Sequence, residues 1–109
     1  IHIDEKRAAK EAPFKSTVAH GFMSVSMISK LLEEVFTIKS VKMGLNYGLN
    51  KVRFPNPVLV NSELRILSSI KEIEDLANNG IKVTFLCTIE IKGQEKPACV
   101  AEFLVALFE

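Results

Sequence analysis

The chain has 109 residues, of which 48% are hydrophobic and 25% charged, and its formal net charge is +1. This length and composition predict one domain of an ordinary soluble globular protein. Because the charge is nearly balanced and the only aromatic residues are Tyr47 and seven Phe, neither nucleic acid nor an anionic membrane is an expected partner.

No run of 18 apolar residues is present, so no transmembrane helix is expected. The polar first residues are not a signal peptide. The two cysteines, Cys87 and Cys99, lack C-x-x-C spacing and have no nearby histidine. We therefore expect no metal site, and we interpret the cysteines as reduced, buried thiols of a cytoplasmic protein. Their spacing leaves a disulfide across a hairpin as an alternative.

Two helices are predicted in the first third of the chain. Residues 4–10 form a short one, with Asp4 as its N-cap, and Pro13 ends it. Residues 18–36 form the only strong helix. Its apolar residues cover most of its circumference, which is typical of a helix that is buried on all sides.

The rest of the chain has the pattern of β-strands. Short strands are predicted at residues 41–47 and 51–54, separated by Gly48, and longer ones at residues 62–73, 81–91 and 98–108. The strand at 81–91 has the clearest period-two alternation. Turns are expected at Asn78-Asn79-Gly80 and at Gly93-Gln94-Glu95. One buried helix followed by consecutive hairpin-linked strands predicts an α+β fold, with an antiparallel sheet wrapped around the helix.

Several segments together resemble one protein family. Residues 1–4 resemble the I-H-x-D segment of MaoC-like hydratases, and residues 18–22 their H-G segment, which opens the central helix of the hot-dog fold. Residues 46–48, 52–58 and 96–102 are similar to segments of the NodN-like branch. The resemblance covers nearly the whole chain. It implies a hot-dog fold and (R)-specific hydration of trans-2-enoyl-CoA thioesters, or the reverse dehydration, in fatty acid metabolism.

The resemblance also implies a catalytic pair. In these hydratases an Asp and a His, spaced D-x-x-x-x-H, hold and activate a water molecule. His2 matches the histidine, whereas Asp4 lies on the wrong side of it to be the partner. The matching Asp would lie five residues before His2 and therefore upstream of Ile1. We accordingly expect residues 1–109 to form a single hot-dog domain whose N-terminal strand and helix are missing from the sequence.

Further site residues follow from the same resemblance. Gly21 matches a residue whose backbone N–H binds the thioester carbonyl oxygen. Ser29 matches a serine that lines the site, although it could equally be a small packed residue bonded to its own backbone. Tyr47 is a candidate for orienting the substrate, with simple packing as the favoured alternative. His20 is interpreted as structural, satisfying loop carbonyls and fixing the glycine.

The family commonly has glycine where this chain has Asn61. Since asparagine tolerates a positive φ better than most residues, the turn is expected to survive.

Two other functions remain as alternatives. A hot-dog thioesterase needs a carboxylate near the start of the helix, whereas Glu33 and Glu34 lie near its end. A non-catalytic acyl-thioester binding module would keep the pocket without the catalytic pair. The expected substrate is an acyl thioester of coenzyme A or of acyl carrier protein, with no further cofactor, and the expected assembly is a homodimer.

Overall fold

The first helix forms as the sequence predicts. A computed structural model describes residues 1–109, and its first helix, α1, spans Glu5–Glu11. The Asp4 carboxylate caps it by accepting a hydrogen bond of 3.0 Å from the Arg7 N–H, which satisfies one of the free donors of the first turn. The helix ends just before Pro13. Ala8 and Ala12 are buried, so α1 packs against the rest of the chain.

The second helix, α2, spans Gly21–Val35, but the prediction that it is buried on all sides is wrong. Its buried residues are Ser24, Ile28 and Leu32, which lie on one stripe. On the opposite surface, Phe22 and Met23 are 72% and 56% exposed. The apolar composition of a helix shows that it can be covered on several sides, but it does not show which surfaces this chain itself covers.

The strands form a single antiparallel sheet. They are β1 (Met43–Arg53), β2 (Leu64–Leu76), β3 (Gly80–Ile91) and β4 (Cys99–Phe108), in the spatial order β1-β4-β3-β2. β2, β3 and β4 are joined by hairpins. β1 pairs with β4 instead of its sequence neighbour β2, so the prediction of consecutive hairpins is wrong for that connection.

β1 is one strand where two short ones were predicted. Its pairing with β4 shifts register between Asn46 and Gly48 and again between Leu49 and Val52. Such β-bulges insert an extra residue without ending the strand, and glycine is frequent at them. Gly48 therefore marks a bulge and not a break. Pro55 and Pro57 follow the end of the strand.

The core lies between α2 and the two central strands. Its main cluster contains the side chains that point from β3 and β4 towards α2, together with Ile28 and Leu32 of α2. The alternation predicted for β3 is confirmed, since Val83, Phe85, Cys87, Ile89 and Ile91 are all buried.

The cysteines and turns also follow the sequence. Cys87 and Cys99 are free and buried, and burial raises the pKa of both thiols. Asn61, Asn78 and Asn79 all have a positive φ, as their predicted turns require. Neither helix is long and apolar enough to cross a membrane.

Candidate active site

His2 is held by a backbone carbonyl. Its Nδ1 lies 2.7 Å from the oxygen of Val18. A carbonyl oxygen can only accept, so Nδ1 must carry the hydrogen. In the neutral ring, Nε2 is then left with a free lone pair. The contact therefore selects the tautomer that a general base requires, and it fixes the direction of the ring.

His20 contributes a second constraint on the same ring. The two imidazoles are stacked, with centroids 3.7 Å apart and planes inclined by 23°. His20 occupies the N-cap position of α2, but its side chain makes no capping hydrogen bond. The residue that bonds a loop carbonyl is His2 and not His20, which corrects the role predicted for His20. Its observed contact is with the candidate catalytic ring.

Both histidines line an open cavity of about 570 Å³. Asp4 and Arg7 also line it. The Asp4 carboxylate is engaged in capping α1, so its observed role is structural. Arg7 is a lining residue that the sequence did not indicate, and its Nε donates to Glu11 Oε2 at 2.7 Å on the exposed surface of α1.

Gly21 begins α2 directly after His20. The N–H groups of a first helical turn have no intrahelical acceptor and carry positive potential. In this turn Met23 N–H donates to the His20 carbonyl at 3.0 Å, whereas the Gly21 N–H makes no hydrogen bond. The predicted donor therefore follows His20 in the chain, but Gly21 is not part of the cavity of the two histidines and lines another one, of about 260 Å³, with Ser24 and Phe54.

Ser29 lies about two turns further along α2 and faces the sheet. Its hydroxyl donates to the side-chain oxygen of Asn46 on β1 at 3.3 Å. By contrast, Ser26 donates to the Phe22 carbonyl of its own helix at 2.9 Å. The alternative of a serine bonded to its own backbone therefore describes Ser26 and not Ser29.

Ser29 and Asn46 lie beside an apolar cavity of about 220 Å³ between α2 and the sheet. Most of its other lining residues are hydrophobic, among them Leu32, Phe85 and Leu107. Asn46 belongs to the segment 46–48 that resembles the NodN-like branch, but the sequence analysis predicted a role only for Tyr47. Asn46 could have been identified as a polar residue at a strand position that faces α2, between Leu45 and Tyr47.

Tyr47 is not brought to this site. It is 58% exposed, and Lys82 Nζ lies 5.7 Å from the centre of its ring. Because successive strand residues face opposite sides, and Val83 belongs to the core, Lys82 lies on the sheet face turned away from α2. Tyr47 lies on that same face and is therefore separated from Ser29 and Asn46. Its exposure also disagrees with the alternative that Tyr47 is simply packed. No group of three or more His, Cys, Asp or Glu side chains is arranged to hold a metal ion.

Comparison with known proteins gives consistent matches. Residues 1–90 match the family model described as a MaoC-like domain. The 3-hydroxyacyl-thioester dehydratase Z of Mycobacterium tuberculosis is 50% identical over 105 residues, which cover 96% of this chain and 69% of that protein. Nodulation protein N of Rhizobium leguminosarum bv. viciae is 35% identical over 108 residues, which cover 98% of this chain and 67% of that protein.

Solved structures match the fold. A monoamine oxidase regulatory protein from Archaeoglobus fulgidus aligns with a TM-score of 0.79 at 20% identity, covering 97% of this chain and 69% of that one. A MaoC-like dehydratase from Rhodospirillum rubrum aligns with a TM-score of 0.73 at 19% identity, covering 97% and 71%. With the antiparallel sheet and its long helix, these matches confirm the predicted hot-dog fold.

Proposed function

Because the chain belongs to the MaoC-like dehydratase family, we propose that it adds water to trans-2-enoyl thioesters with (R) stereochemistry and catalyses the reverse dehydration. The observation that carries this proposal is the environment of His2. Its ring is fixed by Val18 and stacks on His20, the residue that directly precedes Gly21 at the start of α2. A base and an oxyanion donor are the two groups that the addition needs.

In the proposed reaction, Nε2 of His2 takes a proton from water. The oxygen of that water forms a bond to the β-carbon of the enoyl group. The electron pair of the double bond moves towards the thioester oxygen, where the Gly21 N–H stabilises the developing charge. The α-carbon then receives the proton that Nε2 took from the water, which restores the neutral imidazole and completes the addition of one water molecule.

The acyl chain is proposed to lie in the cavity beside Ser29 and Asn46. The predominantly hydrophobic lining suits a hydrocarbon chain, and its polar side chains are those of Ser29 and Asn46, which bond to each other between α2 and β1, and of Glu33. Such a combination of apolar walls and few polar groups is usual for ligand pockets. Either coenzyme A or an acyl carrier protein suits as the thiol component.

A homodimer is proposed as the assembly. β1 forms an edge of the sheet, and an unpaired edge strand offers free backbone groups to a second copy. Exposed apolar side chains on β1, at Met43, Leu45 and Leu49, support the same arrangement.

The first test of the function is hydration of crotonyl-CoA, followed as loss of enoyl absorbance, with chiral analysis of the product. We expect wild-type protein to form the (R)-3-hydroxy product. His2→Ala should reduce turnover by roughly 10²–10⁴-fold, the usual contribution of a general acid–base group, with little change in thermal stability because the side chain is exposed.

Lys10→Ala on the surface of α1 is the matched control and should retain full activity. If wild-type protein hydrates neither crotonyl-CoA nor a longer enoyl-CoA, catalysis is refuted. Binding of a thioester without turnover would then favour the binding-module alternative.

A further inference from the structure

The space beside the Gly21 Cα is filled by the ring of Phe54. A Cβ added at Gly21 would lie 3.0 Å from both Cγ and Cδ2 of that ring, which is closer than carbon atoms normally approach. Gly21 is not among the residues with a positive φ, so its backbone conformation does not by itself require glycine. On this side of the residue, glycine is needed because Phe54 packs against the backbone.

Phe54 is itself well supported. Its ring meets that of Phe22 edge to face, with centroids 5.9 Å apart and planes at 89°, a favourable arrangement of aromatic rings. Phe54 directly follows β1. The residues 58–60, a few positions later, pair with residues 17–19, which precede α2. There, Ala19 N–H donates to the Val58 carbonyl at 2.9 Å, and Val60 N–H to the Thr17 carbonyl at 3.0 Å.

The start of α2 lacks the usual means of support. Its N-cap residue, His20, contributes no side-chain hydrogen bond, and uncapped first turns are less stable than capped ones. The side-chain contacts of this turn include those of Phe54 with Gly21 and Phe22. The paired residues 58–60 hold the preceding segment, which includes Val18, the acceptor of the His2 hydrogen bond.

We propose that Phe54 is a positioning residue, whose ring holds the first turn of α2 so that the Gly21 N–H points at the thioester oxygen. The proposal rests on the proposed hydratase function for its kinetic consequence. It differs from the explanation in which Gly21 is required so that a ligand can approach the backbone. The two explanations predict different effects of Gly21→Ala on kcat when Phe54 is also changed.

The test is a double-mutant cycle with Gly21→Ala, Phe54→Ala and the combined variant, assayed for kcat and KM with crotonyl-CoA. Phe54→Ala should reduce kcat by roughly 10- to 100-fold, the effect of a small displacement of a catalytic group, with a smaller change in KM. Phe54→Tyr should retain most of kcat because it keeps the ring. In the combined variant the added methyl group enters space vacated by the ring, so Gly21→Ala should reduce kcat by a smaller factor in the Phe54→Ala background than in wild-type protein.

The proposal would be overturned if Gly21→Ala reduced kcat by the same factor in both backgrounds, because the methyl group would then interfere with the substrate and not with the Phe54 ring. Leu67→Ala is the control for simple loss of exposed apolar surface, since Leu67 is 50% and Phe54 43% exposed. It should leave kcat unchanged.

Hydrogen exchange separates this proposal from the proposed function. The Met23 amide, which donates to the His20 carbonyl at 3.0 Å, should exchange several-fold faster in Phe54→Ala than in wild-type protein or in Leu67→Ala. If wild-type protein has no hydratase activity, the proposed function fails, and the exchange rates still decide whether Phe54 holds the turn. Unchanged rates would refute the positioning role.

Discussion

Two serines on the same helix provide a matched comparison at the residue scale. Ser29 bonds across to Asn46 beside the apolar cavity, whereas Ser26 bonds to its own helix. Ser29→Ala should therefore reduce kcat/KM by about 3- to 10-fold, corresponding to one hydrogen bond of about 0.5–1.5 kcal/mol. Ser26→Ala should have almost no effect. Equal values of kcat/KM for the two variants, measured with a medium-chain enoyl-CoA, would contradict a substrate-lining role for Ser29.

The sequence indicated the site residues that lie close together along the chain. His2, His20 and Gly21 were identified from their own segments, and the structure stacks the two histidine rings, with Gly21 directly after His20 in the chain. The contacts that join different elements were not predictable from spacing. Tyr47 was predicted to be the site residue, but its neighbour Asn46 is the one that faces the cavity. Adjacent residues of a strand face opposite sides of the sheet, so an error of one residue assigns the wrong side chain to the site.

An ion pair joins strands that are not neighbours, on the sheet face turned away from α2. Lys71 Nζ of β2 lies 2.9 Å from Glu102 Oε1 of β4, across β3, and the Glu102 side chain is only 10% exposed. The hydrogen bond from Lys71, with smaller contributions from Asn50 and Lys51, lowers the pKa of Glu102. A carboxyl group whose pKa is lowered by folding stabilises the folded state when ionised, so this contribution is lost in acid.

The prediction concerns the melting temperature between pH 7 and pH 3. The stabilisation by Glu102 is fully present above the ordinary glutamate pKa of about 4.3, and it declines as the pH falls through the lower pKa of the folded state. Glu102→Gln should therefore melt lower than wild-type at pH 7, and its melting temperature should fall less on acidification. Glu63→Gln, whose partner Lys92 is 79% exposed, should follow the wild-type curve. Parallel curves for wild-type and Glu102→Gln would refute the contribution.

At the element scale, the type of each helix and strand was predictable and its surroundings were not. The alternation of β3 and the turn residues at 78–80 and 93–95 were sufficient to predict the two hairpins, since both signals are local. The pairing of β1 with β4 depends on contacts between distant parts of the chain, and no periodicity records them. The same limit explains α2, whose apolar surface was assigned wholly to the core although Phe22 and Met23 lie outside it.

The whole molecule is more extended than a self-sufficient domain of its length. Its radius of gyration is 16.4 Å and its dimensions are 54 × 24 × 22 Å, whereas a compact chain of this size has a radius of about 13 Å. Only 22 of its 109 residues are buried. Large exposed apolar side chains on both α2 and β1 indicate surfaces that further protein can cover.

A second copy paired along β1 is the arrangement that we expect to cover part of this surface. β1 has 11 residues and no proline, and two such edges can pair symmetrically about a twofold axis. Light scattering should give twice the mass of one chain at micromolar concentration. Leu45→Glu should shift the protein to monomer, because a charged side chain from each copy would replace apolar surface at the paired edge, while Leu67→Glu on β2, of similar exposure, should remain dimeric. A monomeric wild-type protein, or dissociation only by Leu67→Glu, would exclude β1 as the interface.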